Sequence, residues 1–231
     1  MTRRPRAVLF DFYGTLAPGR SVAAQVAART AQAEALGIDP PALDVELTAT
    51  VDDRFRGAGG DVEGSLRWVA RRLGVDPTPD QLQRAGQIRL AAERSFGEPR
   101  PDAVDVLRSL HEQGLRIGVV SDCSAELPTY FPSLPIAPYV DAAVLSFVTG
   151  HRKPEPQNYL ACCAALGIEP ADGLYVGDGG SDELAGARRV GLRAVHLAVP
   201  GEQESLVYGR HLAWDGEVVN SLSAVLALVA A

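Results

Sequence analysis

A chain of 231 residues with 46% hydrophobic content can bury a sizeable core, as one domain or as a domain carrying an insertion. The net charge of -7 and pI near 5.1, with no basic cluster to offset the acidic excess, exclude a nucleic-acid surface and leave small molecules as the expected partners. Only four apolar residues follow Arg3-Arg4-Pro5-Arg6, and the apolar run ending at Ala231 is short, so neither a signal peptide nor a membrane span is expected and the cytoplasm is the expected location.

The run Ala7-Val8-Leu9-Phe10 is continuously apolar and reads as a short buried β-strand, closed by Asp11-Phe12-Tyr13-Gly14-Thr15. An acid where such a strand ends sits at the carboxyl edge of a parallel sheet, which is where open α/β folds place their ligands. Residues 17–98 contain no strand pattern. Apolar residues recur there every three or four positions (Val22 and Val26; Leu43, Leu47, Val51 and Phe55; Val62, Leu66, Val69 and Leu73; Leu82, Ala85, Ile88 and Ala92), which predicts four successive helices. From residue 101 helices and short apolar strands alternate. Helices are expected at 101–113, 156–166, 182–190 and 218–229, and strands at 116–120, 142–147, 174–176 and 194–199. This predicts an α/β fold with a parallel sheet flanked by helices, and a helical insert after the first strand.

The strand ends deliver Asp11, Ser121-Asp122 and Asp178 to one edge, while Lys153 arrives on a loop before a helix. Each has a plain alternative: a turn or helix cap for Ser121-Asp122, and an acidic loop with Asp182 capping a helix for Gly177 to Asp182. Lys153 stands out because every other residue among the 22 Lys and Arg is arginine, so a compact ammonium is wanted there. Cys123, Cys162 and Cys163 show no zinc or disulfide spacing and read as buried hydrophobes in a reducing compartment. His111, His151, His196 and His211 show no ligand spacing either and read as surface or packing residues.

In order and spacing, Asp11-Phe12-Tyr13-Gly14-Thr15, Ser121, Lys153-Pro154 and Gly177-Asp178 with Asp182 resemble the motifs of the haloacid dehalogenase superfamily, most of whose members are phosphatases. The resemblance implies a Rossmann-like three-layer core over 1–16 and 99–231, with a helical cap domain over 17–98 that closes on small substrates. It implies a Mg²⁺-dependent phosphatase acting on a small phosphorylated metabolite, with Asp11 as the nucleophile that forms an aspartyl-phosphate. Asp11, the backbone carbonyl of Tyr13 and Asp178 would be the metal ligands, with Asp182 a ligand or supporting group. Ser121 with nearby backbone N–H groups would bind the phosphoryl oxygens, Lys153 would neutralise their charge, and Gly14, Thr15 and Asp122 would complete the phosphate-binding site, Thr15 orienting its loop.

One position departs from that pattern. Phosphatases of the superfamily carry a second Asp two residues after the nucleophile as general acid and base, and Tyr13 stands there instead, so the acid of a phosphatase here is Tyr13 itself, a cap residue, or none where the leaving group is good. Tyrosine is what the metal-independent 2-haloacid dehalogenases show, since halide leaves without a proton, yet Asp178 beside Asp11 is foreign to those enzymes. Two alternatives therefore stand beside the phosphatase: a dehalogenase, and a catalytically weak binding or regulatory relative. Substrate choice is expected in the insert, where Arg54, Arg56, Arg67 and Trp68 are either contacts to substrate or ordinary solvated and packed positions.

Overall fold

A computed structural model describes residues 4–202 and 214–230. Among them six strands form one parallel sheet in the order β3-β2-β1-β4-β5-β6. β1 (Ala7–Phe10) lies between β2 (Arg116–Ser121) and β4 (Gly173–Gly177), flanked in turn by β3 (Ala142–Leu145) and β5 (Arg193–Leu197). All four β1 residues are fully buried because helices cover both faces. Val8 and Phe10 face one core with Leu107, Ile117, Val119 and Val176, while Ala7 and Leu9 face the other with Tyr159, Cys162 and Tyr175. The strand order reverses at β1, between β2 and β4, which opens a crevice beyond the carboxyl end of β1.

The insert holds five helices, not four: α1 (Val22–Leu36), α2 (Pro40–Ala49), α3 (Val51–Phe55), α4 (Val62–Arg72) and α5 (Pro79–Phe96). The apolar series from Leu43 to Phe55 runs across a break at Thr50, which closes α2 and opens α3. Helix starts follow capping chemistry: Ser21 accepts from Ala24 N–H, and Thr78 and Gln81 form a reciprocal capping box with Pro79 in the first turn. The insert has its own core of Ala33, Leu36, Leu43, Leu66, Val69 and Leu82. Val22 and Val26, read from spacing as inward, are instead exposed, and α1 turns Ala33 and Leu36 inward.

α6 (Ala103–Glu112), α7 (Glu126–Tyr130), α8 (Ser146–Thr149), α9 (Pro156–Leu166) and α10 (Glu183–Arg189) complete most of the core layers. The expected strand at 142–147 stops at Leu145, because Ser146 and Phe147 belong to α8. The expected closing helix at 218–229 is two elements, β6 (Glu217–Val219) and α11 (Val225–Val229). Val218 and Val219 pair with His196 and Leu197 of β5, so an open sheet edge captured a segment that reads equally well as helix. No helix among the described residues is long and apolar enough to cross a membrane.

Candidate active site

Parallel strands deliver their following residues to one edge, and the chain places Asp11 after β1, Asp122 after β2 and Asp178 after β4 around the crevice. Asp11 is nearly fully buried. Its Oδ1 accepts from Lys153 Nζ at 2.5 Å and its Oδ2 from Thr15 Oγ1 at 3.2 Å. Lys153 also donates to Glu183 Oε2 at 2.6 Å, and the other Glu183 oxygen accepts from Gly179 N–H at 2.9 Å. Tyr175 OH donates to Glu183 at 2.8 Å, and Asp178 Oδ1 accepts from Gly180 N–H at 3.0 Å.

One ammonium therefore faces several buried acids. Burial pushes the Asp11 carboxyl up from 3.8 to about 7, against the pull of Lys153 and with a further push from Glu183. Burial likewise raises Glu183 in spite of Lys153, and Asp178 adds to the rise. Burial alone would discharge Lys153, yet Asp11, Glu183 and Asp122 hold its ammonium well above the ordinary lysine value.

One ligand oxygen each from Asp11, Asp178 and Glu183 lies within 4.8 Å of the others, and all three residues are buried. An all-oxygen, multiply anionic set of this size suits a hard divalent cation such as Mg²⁺. The backbone preserves the space: Gly14 has φ +85°, and a Cβ there would collide with the Asp178 carboxylate. A Cβ at Gly177 would likewise strike Glu183.

The third acid of this cluster is thus Glu183, which sequence reasoning passed over in favour of Asp182. Ser181 and Asp182 both adopt left-handed backbone, with φ 53° and 51°, and this coil turns Glu183 into the site while Asp182 takes the N-cap position of α10 without a capping bond from its side chain. A usable signal existed, because Glu183 shares the inner face of α10 with buried Gly186 and Ala187.

The other expected site residues take varied positions. Ser121 is fully buried, with its hydroxyl directed to the Asp122 carbonyl at 3.5 Å, and it is not in the crevice wall, whereas Asp122 is. The Asp122 carboxylate accepts from Lys153 N–H at 2.9 Å and Arg152 Nε at 3.2 Å, which fixes the lysine loop. Tyr13 lines the crevice, but its hydroxyl lies 2.7 Å from Tyr130 OH and 3.3 Å from Glu93 Oε2, with the Arg20 guanidinium 4.3 Å over its ring. Burial and Glu93 hold the Tyr13 phenol well above 10, so it is a poor proton donor.

Arg100 was not singled out from sequence, yet its buried guanidinium donates to Thr15 O at 2.7 Å and Gly14 O at 3.0 Å while paired with Glu202 at 2.6 Å. It holds the loop after Asp11 from behind. Of the insert residues, Arg56 binds Gly150 O and Glu155 and so ties α3 to the lysine loop. Arg54 is buried, Arg67 is exposed, and Trp68 is half-buried under the Arg72 guanidinium. His196 contacts the Asp178 carbonyl at 3.0 Å, His151 meets Glu155 at 3.2 Å, His111 is exposed beside Tyr139, and His211 lies outside the described residues. The three cysteines are free and buried, and burial pushes the Cys123 thiol up to about 12 and that of Cys163 to about 11.

A family model for haloacid dehalogenase-like hydrolases matches residues 5–191. The chain is 27% identical over 195 residues to a glyceraldehyde 3-phosphate phosphatase of Methanopyrus kandleri, with 83% of each chain covered. It is 29% identical over 218 residues to a phosphoglycolate phosphatase of Salmonella paratyphi A, with 81% of each covered. Among solved structures, a 2-haloacid dehalogenase of Pseudomonas syringae pv. Tomato superimposes with a TM-score of 0.71 at 22% identity over 98% of both chains, a likeness of fold.

Proposed function

Because this chain belongs to the haloacid dehalogenase-like hydrolases, we propose that it is a Mg²⁺-dependent phosphatase acting on a small phosphorylated metabolite through an aspartyl-phosphate on Asp11, with residues 17–98 serving as its cap. The observation that carries the reading is the buried cluster of Asp11, Asp178 and Glu183 around the single ammonium of Lys153. The two phosphatase relatives support the substrate class. The same cluster weighs against the dehalogenase alternative, since unneutralised acids beside Asp11 would blunt a nucleophile that works without metal. Three free buried cysteines suit the reducing cytoplasm.

Asp11, Asp178 and Glu183 would hold the ion, with the Tyr13 carbonyl as a further oxygen donor. When bound, Mg²⁺ supplies positive charge that offsets the clustered carboxylates and the phosphate. Lys153 draws the Asp11 carboxyl back towards ionisation against its burial and stands ready to neutralise charge on the phosphoryl oxygens. Thr15 and Arg100 fix the direction of the Asp11 loop, and Asp122 fixes the lysine loop. Asp11 attacks phosphorus, the leaving oxygen departs, and water then cleaves the acyl phosphate to restore the carboxylate. With the Tyr13 hydroxyl engaged by Tyr130 and Glu93, the leaving group departs without an acid at this position, which favours activated esters. General acid help is typically worth about 10²–10⁴-fold, so alkyl phosphates are expected to turn over slowly.

The test is turnover of p-nitrophenyl phosphate that requires Mg²⁺ and disappears in Asp11→Asn. Chloride release from 2-chloropropionate in EDTA, without phosphatase turnover, would instead establish the dehalogenase.

A further inference from the structure

A second cavity, of about 450 Å³ counted to its open mouth, lies beside the crevice, and the two share Arg20 and Phe55 in their walls. It is built from the insert and from Ser124 in the loop between β2 and α7, and nothing in the hydrolytic chemistry uses it. Among the described residues its wall carries four guanidinium groups, of which Arg20 pairs with Glu93, Arg29 with Asp44 and Arg89 with Glu126, while Arg54 is held by the Leu47 carbonyl.

Two of these arginines are almost completely buried at fixed positions. Arg54 donates to Leu47 O at 2.6 Å and reaches Thr50 Oγ1 at 3.4 Å, while Arg89 is ion-paired with Glu126 and reaches Ser124 Oγ at 3.3 Å. Guanidiniums so held are preorganised for a planar anion such as a carboxylate. Gln32, only 4% exposed, adds an independent observation. Its Nε2 donates to Ala28 O at 3.1 Å, but its buried Oε1 takes no hydrogen bond from any described protein group. Buried acceptors are normally satisfied, so one left over in a cavity wall calls for a donor brought by a ligand.

Resting on the phosphatase reading, we propose that this cavity is a substrate subsite for a carboxylate and a neighbouring hydroxyl, so that the substrate is a phosphorylated hydroxy acid. Its phosphate lies at Asp11 and Lys153, its carbon chain passes Arg20 and Phe55, its carboxylate meets Arg54 and Arg89, and its hydroxyl donates to Gln32 Oε1. The apolar wall residues Leu47, Val51 and Phe96 disfavour a bulky polar extension such as a nucleoside.

The test uses a matched pair of phosphonates that bind without being cleaved: 2-hydroxy-4-phosphonobutyrate, and 3,4-dihydroxybutylphosphonate, in which the carboxylate is a neutral alcohol. Calorimetric titration of the full-length protein with Mg²⁺ is expected to show at least ten-fold tighter binding of the acid. Arg54→Gln should remove most of that preference. Gln32→Leu, which strands no buried charge, should weaken the hydroxy acid several-fold while leaving 4-phosphonobutyrate, which lacks the hydroxyl, unaffected. Equal affinities for the pair in the wild-type protein would overturn the subsite, and so would an unchanged preference in a folded Arg54→Gln. If that variant does not fold, the wild-type pair and Gln32→Leu decide. Binding of the acid without turnover of p-nitrophenyl phosphate would keep the subsite and remove the phosphatase, and turnover without the preference would do the reverse.

Discussion

Replacing Asp11 by Asn should stabilise the metal-free protein while abolishing its activity, and the gain should grow with pH. The Asp11 carboxyl is pushed from 3.8 to about 7 in the folded chain, chiefly by burial. A raised carboxyl pKa means that the folded state holds the proton more tightly than the unfolded state does. Stability from this group is therefore fullest below about pH 4 and declines as pH rises towards 7, where it levels off. Between pH 5 and pH 7 the decline spans two units at 1.36 kcal/mol each, about 2–3 kcal/mol. Asparagine has no such titration. The contact of Asp11 with Lys153 is already counted in that shift, because it draws the carboxyl back from the higher value that burial alone would give. The difference in stability between Asp11→Asn and wild type should accordingly be about 2–3 kcal/mol larger at pH 8 than at pH 5, roughly 5–10 °C in melting temperature for a chain of this size. Calorimetric melts in EDTA across that range measure it. A pH-independent difference, or a wild type that gains on the variant as pH rises, would refute the account of Asp11 as a buried carboxylate forced to ionise.

Glu183→Gln should weaken Mg²⁺ binding about 10–100-fold by calorimetry, whereas Asp182→Asn should leave it within a few-fold, because only Glu183 lies in the acidic cluster. Tyr13→Phe should change turnover of p-nitrophenyl phosphate by less than about five-fold, since the hydroxyl is committed to Tyr130 and Glu93; a loss of about 10²-fold or more in a folded variant would make Tyr13 the general acid after all. Arg89→Leu should cost about 3–5 kcal/mol in urea unfolding, because it strands Glu126, whose carboxyl the guanidinium and Ser124 hold below its usual value against burial. Adding Glu126→Leu should restore much of that loss, and a double variant as unstable as the single one would deny the pairing.

The alternation of apolar runs and helical spacing after residue 101 determined the parallel sheet in advance, and the position of Asp11, Asp122 and Asp178 after their strands determined which acids share an edge. Lys153, conspicuous as a lone lysine, is ion-paired with both Asp11 and Glu183. These features are local: a run of Val, Leu and Ile reads as a buried strand wherever it stands, and parallel strands send their ends the same way. What the chain does between elements was hidden. Glu183 displaces Asp182 from the acidic cluster because two successive left-handed residues, neither of them glycine, redirect the chain by one position, and side-chain preference opposes that conformation. Val218 and Val219 became a strand because β5 offered a free edge, which no periodicity in the segment itself announces. Arg54, Arg89 and Gln32 come from three different helices, so only the packing of the insert makes one cavity wall of residues 32, 54 and 89. Local sequence sets which way a strand or helix must face, whereas the meeting of distant charged side chains depends on how separately formed helices bury their apolar faces against one another.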